Sequence, residues 1–204
     1  LRRLVLAHGR WCNRRMGILI CYMFYKNAIM VLPQYYFAFF SLASGQNFYV
    51  EYPLYQGYNV AFTAFAVFAF GIMDRDVSAA TCYRQPRVYR RRFLDRRTFW
   101  WWMLEGFFQS LVCLVVPVLA LDGWGSGGAV SSASGKSHGI WYLGAAVHFN
   151  VVVVATLRLC LEVKEFHYVF VGTVSFNWFL YWLSFVMFSN SFSLSAAFSS
   201  VGAV

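Results

Sequence analysis

Residues Gly17–Leu42 read GILICYMFYKNAIMVLPQYYFAFFSL, and this stretch decides the fold class. Its only charged side chain is that of Lys26. A helix needs about 20 mostly apolar residues to cross the hydrocarbon core of a bilayer, so the stretch predicts a membrane-spanning helix. Pro33 within it predicts a kink or an interruption of the helical hydrogen bonds.

Four further apolar stretches of similar length follow along the chain. The chain is 60% hydrophobic and 12% charged, whereas soluble domains are roughly 45–50% apolar and about 25% charged. We therefore predict an all-α, polytopic membrane helix bundle of about five transmembrane helices, forming a single domain over residues 1–204. The predicted spans are residues 17–42, 54–73, 98–121, 140–161 and 167–190.

The net charge of +9 is distributed in a way that predicts the orientation of these spans. Arginines cluster before the first span and in the loop 74–97, and Arg158 and Lys164 lie near the connection between the fourth and fifth spans. The other two connections contain no cation except Lys136. Since cytosolic loops are enriched in Lys and Arg, the N-terminus and the Arg-rich loop are predicted to be cytosolic. The Gly/Ser-rich loop 122–139 is then exterior, and the positive charge indicates contact with membrane lipids rather than nucleic acid.

Lys26 is the most informative single position, because it falls near the middle of its predicted span and is followed by Asn27. A charge at the bilayer centre costs at least about 2.5–3.5 kcal/mol and is usually functional or part of a polar network. The alternative is a lysine that extends its amino group to the interface.

Other polar side chains in the predicted spans are candidates for the same polar face. Asn59 and Thr63 are four residues apart and so share a helix face, although a routine interhelical hydrogen bond would also explain them. Glu105, in the third span, is a possible intramembrane partner of Lys26, or a carboxylate close to the interface.

Motifs of catalysis or metal binding are not found in the sequence. The five cysteines form no CxxC pair, and His148 has no Cys or His at metal-ligand spacing, so we expect it to be a helix–helix contact. There is no Walker-type glycine loop, GxSxG or kinase signature, so no catalytic residue and no bound cofactor are predicted in this chain.

A set of short motifs resembles the C-terminal membrane region of the phospholipid flippases, the lipid-transporting branch of the P-type ATPases. The most specific are HGRW, FYKN, YNVAFT and GIMDRDV, because they occur together in the family's order. The matching segments are LVLAHGRW at Leu4–Trp11, FYKN at Phe24–Asn27, SGQ at Ser44–Gln46, YNVAFT at Tyr58–Thr63, GIMDRDV at Gly71–Val77, PRVY at Pro86–Tyr89, Thr98–Trp100, and LRLCLE at Leu157–Glu162.

The resemblance implies an activity that the residues alone do not. The five spans would correspond to the fifth to ninth helices of a P-type ATPase, and Lys26, Asn27 and Asn59 would line the path of the lipid headgroup. The parent protein would use ATP and Mg²⁺, through an aspartyl-phosphate, to move aminophospholipids toward the cytosolic leaflet. A membrane-embedded accessory β-subunit would be its partner, in the plasma membrane or in Golgi or endosomal membranes.

The chain also departs from the family. Ala66 and Val67 stand where the family usually has a proline pair, which leaves the shape of the second span open. The phosphorylation and nucleotide-binding domains are not in these residues, so we expect a fragment or a truncated product that is inactive alone. The alternatives are a non-catalytic membrane scaffold or degenerate relic, and, less favoured, a cation-pumping P-type ATPase. The first two spans carry no carboxylate for a cation site.

Overall fold

A computed structural model describes residues 4–49, 54–84, 89, 93–122, 140–165 and 167–201. These residues contain helices and no β-strand, and four of the helices are long and apolar enough to cross a membrane. The prediction of an all-α membrane helix bundle is therefore confirmed. After a π-helical turn at Leu4–His8, the α-helices are α1 (Gly9–Phe40), α2 (Ala64–Met73), α3 (Ala79–Arg84), α4 (Arg96–Asp122), α5 (Ile140–Glu162) and α6 (Tyr168–Val201).

The predicted loops fall partly outside the described residues. Of the predicted exterior loop 122–139, residues 123–139 lie outside them, as do residues 85–88 and 90–92 of the Arg-rich loop. Between α2 and residue 85, the described part of the Arg-rich loop forms the short helix α3.

Helix α1 is longer than the predicted first span and continues past its proline. It begins at Gly9 rather than at residue 17, because a helix can continue beyond the apolar run and arginine favours helix. Arg10 and Arg14 in its first turns pair with carboxylates. Pro33 lies within α1 and does not end it, although proline has no N–H to complete the helical hydrogen bond to the Ile29 carbonyl. Proline is tolerated in membrane helices where neighbouring helices enclose the segment.

The second predicted span is divided in two. A π-helical turn at Tyr58–Phe62 is followed by Thr63, which has non-helical backbone angles, and then by α2. Together the two pieces cover Tyr58–Met73, which is shorter than the four long helices. We refer to Tyr58–Met73 as the broken segment.

The bundle is organised around α1. Helix α1 packs against α4, α5 and α2, while α6 packs against both pieces of the broken segment. Aromatic side chains fill the interior, and Gly106 in α4 lets α1 approach closely, since a Cβ there would lie 3.2 Å from the Tyr25 ring. The fully buried aromatic residues include Tyr22, Tyr25, Tyr58, Phe62 and Phe70.

The connection after α1 folds back onto the bundle. Leu42 and Ala43 adopt left-handed backbone angles, with φ of 50° and 56°, and reverse the chain. Gln34 of α1 then fixes the connection, because its Nε2 donates to the Gln46 carbonyl at 2.8 Å and its Oε1 accepts from the Phe48 N–H at 3.3 Å. The backbone of Phe48 is thereby pressed against α5.

Candidate functional site

Lys26 and Thr63 meet in the interior of the bundle. Lys26 Nζ donates to Thr63 Oγ1 at 2.9 Å, and both residues are 2% exposed. The Thr63 hydroxyl in turn donates to the Tyr58 carbonyl at 2.9 Å, and the Tyr58 hydroxyl donates to the Lys26 carbonyl at 2.9 Å. These three residues form a closed set of hydrogen bonds that ties the middle of α1 to the broken segment.

The same hydrogen bonds explain why the chain breaks at Thr63. A helix break leaves backbone carbonyls without their usual donors, and in a membrane each such group must be satisfied within the protein. The Thr63 hydroxyl satisfies the Tyr58 carbonyl, and Lys26 supplies the donor that the hydroxyl oxygen accepts. The break therefore forms although Ala66 and Val67 replace the family's proline pair.

The amino group of Lys26 does not extend to the membrane interface. Its amino group ends on Thr63 and lies 5.9 Å from the centre of the Tyr58 ring, so it stays inside the bundle. A cation over an aromatic face is stabilised by about 0.5–2 kcal/mol, more when water is excluded. Lys26 is thus part of a buried polar network, which was one of the two interpretations of the sequence.

Asn27 and Asn59 follow the contact residues in sequence but point elsewhere. Each is exposed on the bundle surface, and neither side chain hydrogen-bonds to another described residue. The structure therefore brings Lys26 and Thr63 together and leaves the two amides on the outside of the same region, Asn27 after Lys26 and Asn59 after Tyr58.

Glu105 pairs with Arg158 of α5 and not with Lys26. Its Oε1 lies 3.1 Å from Arg158 Nε and accepts a hydrogen bond from Gln109 Nε2 at 3.1 Å. The reason is depth: at about 1.5 Å per helical residue, Glu105 lies much closer to the arginine-rich end of the bundle than Lys26 does. The suggested Lys26–Glu105 pair is corrected accordingly.

Arg158 is held from three sides. Besides Glu105, it donates to Glu162 Oε1 at 2.7 Å, and its guanidinium lies 3.9 Å from the centre of the Trp102 ring. Gln109 continues the chain of contacts to the hydroxyl of Tyr25 in α1. This network joins α1, α4 and α5 near their arginine-rich ends.

A buried group of ion pairs at the same end was not predicted from the sequence. Arg10 contacts both carboxylate oxygens of Asp76, at 2.9–3.1 Å, and Arg14 pairs with Asp74. Asp74 also accepts the backbone N–H of Lys164 at 2.8 Å. We call Arg10, Arg14, Asp74 and Asp76 the arginine–aspartate clamp.

The clamp joins the start of α1, the end of α2 and the connection between α5 and α6. Asp74 and Asp76 lie in the loop 74–97, which we predicted only to be a cytosolic, Arg-rich connection. Two arginines four residues apart share one helix face, and they match two aspartates on an extended segment. That complementary spacing is the signal that could have revealed it.

A cavity of about 440 Å³ lies beside the clamp. Lys26, Asn27, Asn59 and Thr63 do not line it, so the predicted path residues and this cavity are separate features. Its polar lining includes Arg14, Asp76, Thr98, Glu162 and Lys164.

Comparison with known proteins shows where such a bundle occurs. The family model for the C-terminal region of phospholipid-translocating P-type ATPases matches residues 1–204. The chain belongs to this family. It is therefore part of an integral, multi-pass membrane protein, and the resemblance found in its sequence motifs is confirmed.

Individual flippase relatives are much longer than this chain. It is 31% identical to phospholipid-transporting ATPase 10 of Arabidopsis thaliana, over 96% of the chain and 16% of the relative. It is also 31% identical to probable phospholipid-transporting ATPase 11 of the same plant, with the same coverage. Identity to phospholipid-transporting ATPase DNF1 of Saccharomyces cerevisiae is 38%, over 58% of the chain and 8% of the relative.

Proposed function

We propose that this chain is the C-terminal membrane part of an ATP-driven flippase that carries the headgroup of an aminophospholipid toward the cytosolic leaflet. The observation that supports it is the contact between Lys26 and Thr63, which places a cation beside a broken helix inside an apolar bundle. Lys26, Asn27, Asn59 and Thr63 are the proposed path residues.

The chemistry of a phospholipid matches this arrangement. Its acyl chains can stay in hydrocarbon while the phosphate and amine need polar contacts throughout the crossing. The exposed amides of Asn27 and Asn59 both donate and accept hydrogen bonds, and so would contact a headgroup from the bundle surface. Lys26 supplies the positive charge behind them that favours a phosphate.

The parts of the transporter that bind ATP and become phosphorylated belong, in this proposal, to the rest of the full-length protein. ATP and Mg²⁺, which P-type ATPases use in general, would act in the rest of the full-length protein. Within the described residues, no three His, Cys, Asp or Glu side chains come together to hold a metal ion, and we derive no step through either group. The same proposal includes a membrane-embedded accessory β-subunit as partner and a cytosolic N-terminus. It places the protein in the plasma membrane or in Golgi or endosomal membranes.

Lipid uptake by the protein expressed at its full encoded length tests the proposed activity. Proteoliposomes would carry fluorescent short-chain phosphatidylserine or phosphatidylethanolamine, with phosphatidylcholine as the comparison. We expect ATP-dependent transfer of the aminophospholipids to the leaflet on the nucleotide side. ATP hydrolysis stimulated by a cation but not by lipid would favour the cation pump, and no ATP-dependent activity would favour the scaffold or relic.

Asparagine substitutions test the path itself. Asn27→Ala and Asn59→Ala should each lower the rate of uptake by roughly three- to tenfold, since one hydrogen bond contributes about 0.5–1.5 kcal/mol. Asn13→Ala is the matched control, because Asn13 is an exposed amide on the same helix but lies near its start. If all three variants transport alike, the exposed amides are not on the path.

A further inference from the structure

His148 is a buried polar residue that the proposed lipid path does not use. It is 1% exposed, and neither ring nitrogen forms a hydrogen bond with a described residue, although the Leu54 backbone is nearby. Aromatic rings surround it: the Tyr181 ring stacks on it at 5.7 Å, and the rings of Tyr49 and Tyr58 meet it edge-on at 6.1 and 6.0 Å.

Tyr49 and Tyr181, which contact His148, and Asn177, one turn from Tyr181 on α6, share the same property. The hydroxyls of Tyr49 and Tyr181 and both amide atoms of Asn177 are buried, and none has a hydrogen-bond partner among the described residues. Tyr181 and Asn177 are four residues apart on α6, so they face the same side of that helix. The four residues Tyr49, His148, Tyr181 and Asn177 are called the polar column below.

The polar column lies beside the broken segment. The Phe62 ring, in the π-helical turn, contacts the rings of both His148 and Tyr181, at 6.1 and 5.1 Å. Helix α6, which carries Tyr181 and Asn177, packs against the π-helical turn and α2. Asn27 and Asn59 are exposed, so the column is a separate, interior feature.

The unpaired groups of the polar column contrast with the equally buried hydroxyls of Tyr22 and Tyr58, which both donate to backbone carbonyls. Tyr22 is as buried as Tyr49, at 1% exposure each, and its hydroxyl donates to the Ala155 carbonyl at 3.1 Å. Leaving a buried polar group without any partner costs about 1–3 kcal/mol, and several such groups together would be a severe penalty. Buried groups of this kind are usually bridged by water, which needs about two to four polar partners at one site.

We propose that ordered water molecules bind within the polar column and hydrate the interior of the bundle beside the broken segment. The ligand is water itself, held by the imidazole of His148 and the hydroxyls of Tyr49 and Tyr181, with Asn177 one turn earlier on α6. Irregular backbone at membrane depth is stable where it is enclosed by protein or lines a hydrated space. The column gives the broken segment such a space, whatever lipid the protein carries.

Hydroxyl-radical labelling tests this on the unaltered full-length protein in nanodiscs. Microsecond radiolysis of bound water labels the side chains that the water touches. We expect Tyr49 and Tyr181 to be oxidised at least severalfold faster than Tyr22, which is equally buried but bonded to protein. Equal labelling of the three tyrosines would overturn the proposal.

A double-mutant cycle supplies an independent test, because a dry and a hydrated column predict opposite changes in the melting temperature. If the column is dry, His148→Phe removes unsatisfied groups, so the melting temperature should stay the same or rise, and its effect should add to that of Tyr181→Phe. If water bridges the two, each substitution should lower the melting temperature by a few degrees, and the double variant should lose less than the sum. His148→Phe with Tyr22→Phe is the control pair, and its effects should add. An unchanged or higher melting temperature of His148→Phe, or additivity with Tyr181→Phe, overturns the proposal.

Discussion

The amino group of Lys26 lies 2.9 Å from the hydroxyl oxygen of Thr63, where the broken segment changes from a π-helical turn to α2. The hydroxyl also donates to the Tyr58 carbonyl. The same hydroxyl group therefore accepts a hydrogen bond from the Lys26 amino group and supplies the donor that the carbonyl at the helix break lacks. Removing it should therefore affect stability, whereas removing the cation should chiefly affect lipid transport.

Thr63→Val should destabilise the full-length protein by about 1–3 kcal/mol, because it leaves the Tyr58 carbonyl and the Lys26 amino group without partners. Thr63→Ser keeps the hydroxyl and should retain most of the stability. Thermal unfolding in detergent measures both variants. Equal melting temperatures for the Val and Ser variants would show that the hydroxyl does not support the break.

Asp74 should be the most sensitive residue of the arginine–aspartate clamp. Asp74→Ala leaves the buried Arg14 with only a 4.0 Å ion-pair contact to Asp76 and a hydrogen bond to the Glu162 carbonyl. Breaking a buried pair costs up to about 3–5 kcal/mol when no other partner remains, so we expect a large part of that loss. Asp95→Ala is the control: Asp95 is exposed and its side chain forms no ion pair with a described residue, and as the residue before α4 its loss should cost only about 1 kcal/mol as a helix cap. Thermal unfolding should separate the two by many degrees, and similar melting temperatures would contradict the clamp.

Exchanging the charges of the clamp should not repair it. In the double variant Arg14→Asp with Asp74→Arg, an arginine would stand where Asp74 now accepts the backbone N–H groups of Lys164 and Glu165. Arginine has no acceptor, so these N–H groups would lose their partner. Recovery of the wild-type melting temperature in the double variant would show that only the charge pair matters.

Glu105 should couple to Arg158 and not to Lys26. In double-mutant cycles on stability, Glu105→Gln and Arg158→Met should be non-additive by about 0.5–3 kcal/mol. The cycle of Glu105→Gln with Lys26→Met should be additive within roughly 0.3–0.5 kcal/mol. Strong coupling in the second cycle would restore the pair suggested by the sequence.

Gly144 should tolerate no side chain. A Cβ there would overlap the Phe48 carbonyl oxygen, so Gly144→Ala must push the connection after α1 away from α5. Gly172→Ala is the matched control in α6, because a Cβ at that position meets nothing within 4 Å. We expect Gly144→Ala to lower the melting temperature and Gly172→Ala to leave it unchanged or raise it, since Ala favours helix more than Gly. The reverse order would contradict the packing.

The fold class followed from the sequence because hydropathy over long runs is a strong signal, and one lysine within such a run marks a buried polar position. Which side chains contact one another was harder to predict from the sequence. Lys26 and Glu105 are the obvious opposite charges among the predicted spans, but their depths depend on where α1 and α4 begin, and α1 begins at Gly9. The Lys26–Thr63 contact depends on a helix break, and no proline in the broken segment allows that break to be predicted from the sequence. The polar column depends on the packing of three separate segments, which no local pattern reveals.

Lys26→Met in the full-length protein tests the central claim most directly. Methionine has a similar length and no charge. It loses the hydrogen bond to Thr63 but also removes the cost of burying a charge, and the Thr63 hydroxyl still donates to the Tyr58 carbonyl, so we expect little change in the melting temperature. We predict a loss of aminophospholipid uptake of roughly ten- to hundredfold, since a charged hydrogen bond to a phosphate contributes about 1.5–3 kcal/mol. Lys164→Met, at an exposed lysine, should transport normally. Uptake by Lys26→Met at the rate of the unaltered protein would remove Lys26 from the lipid path.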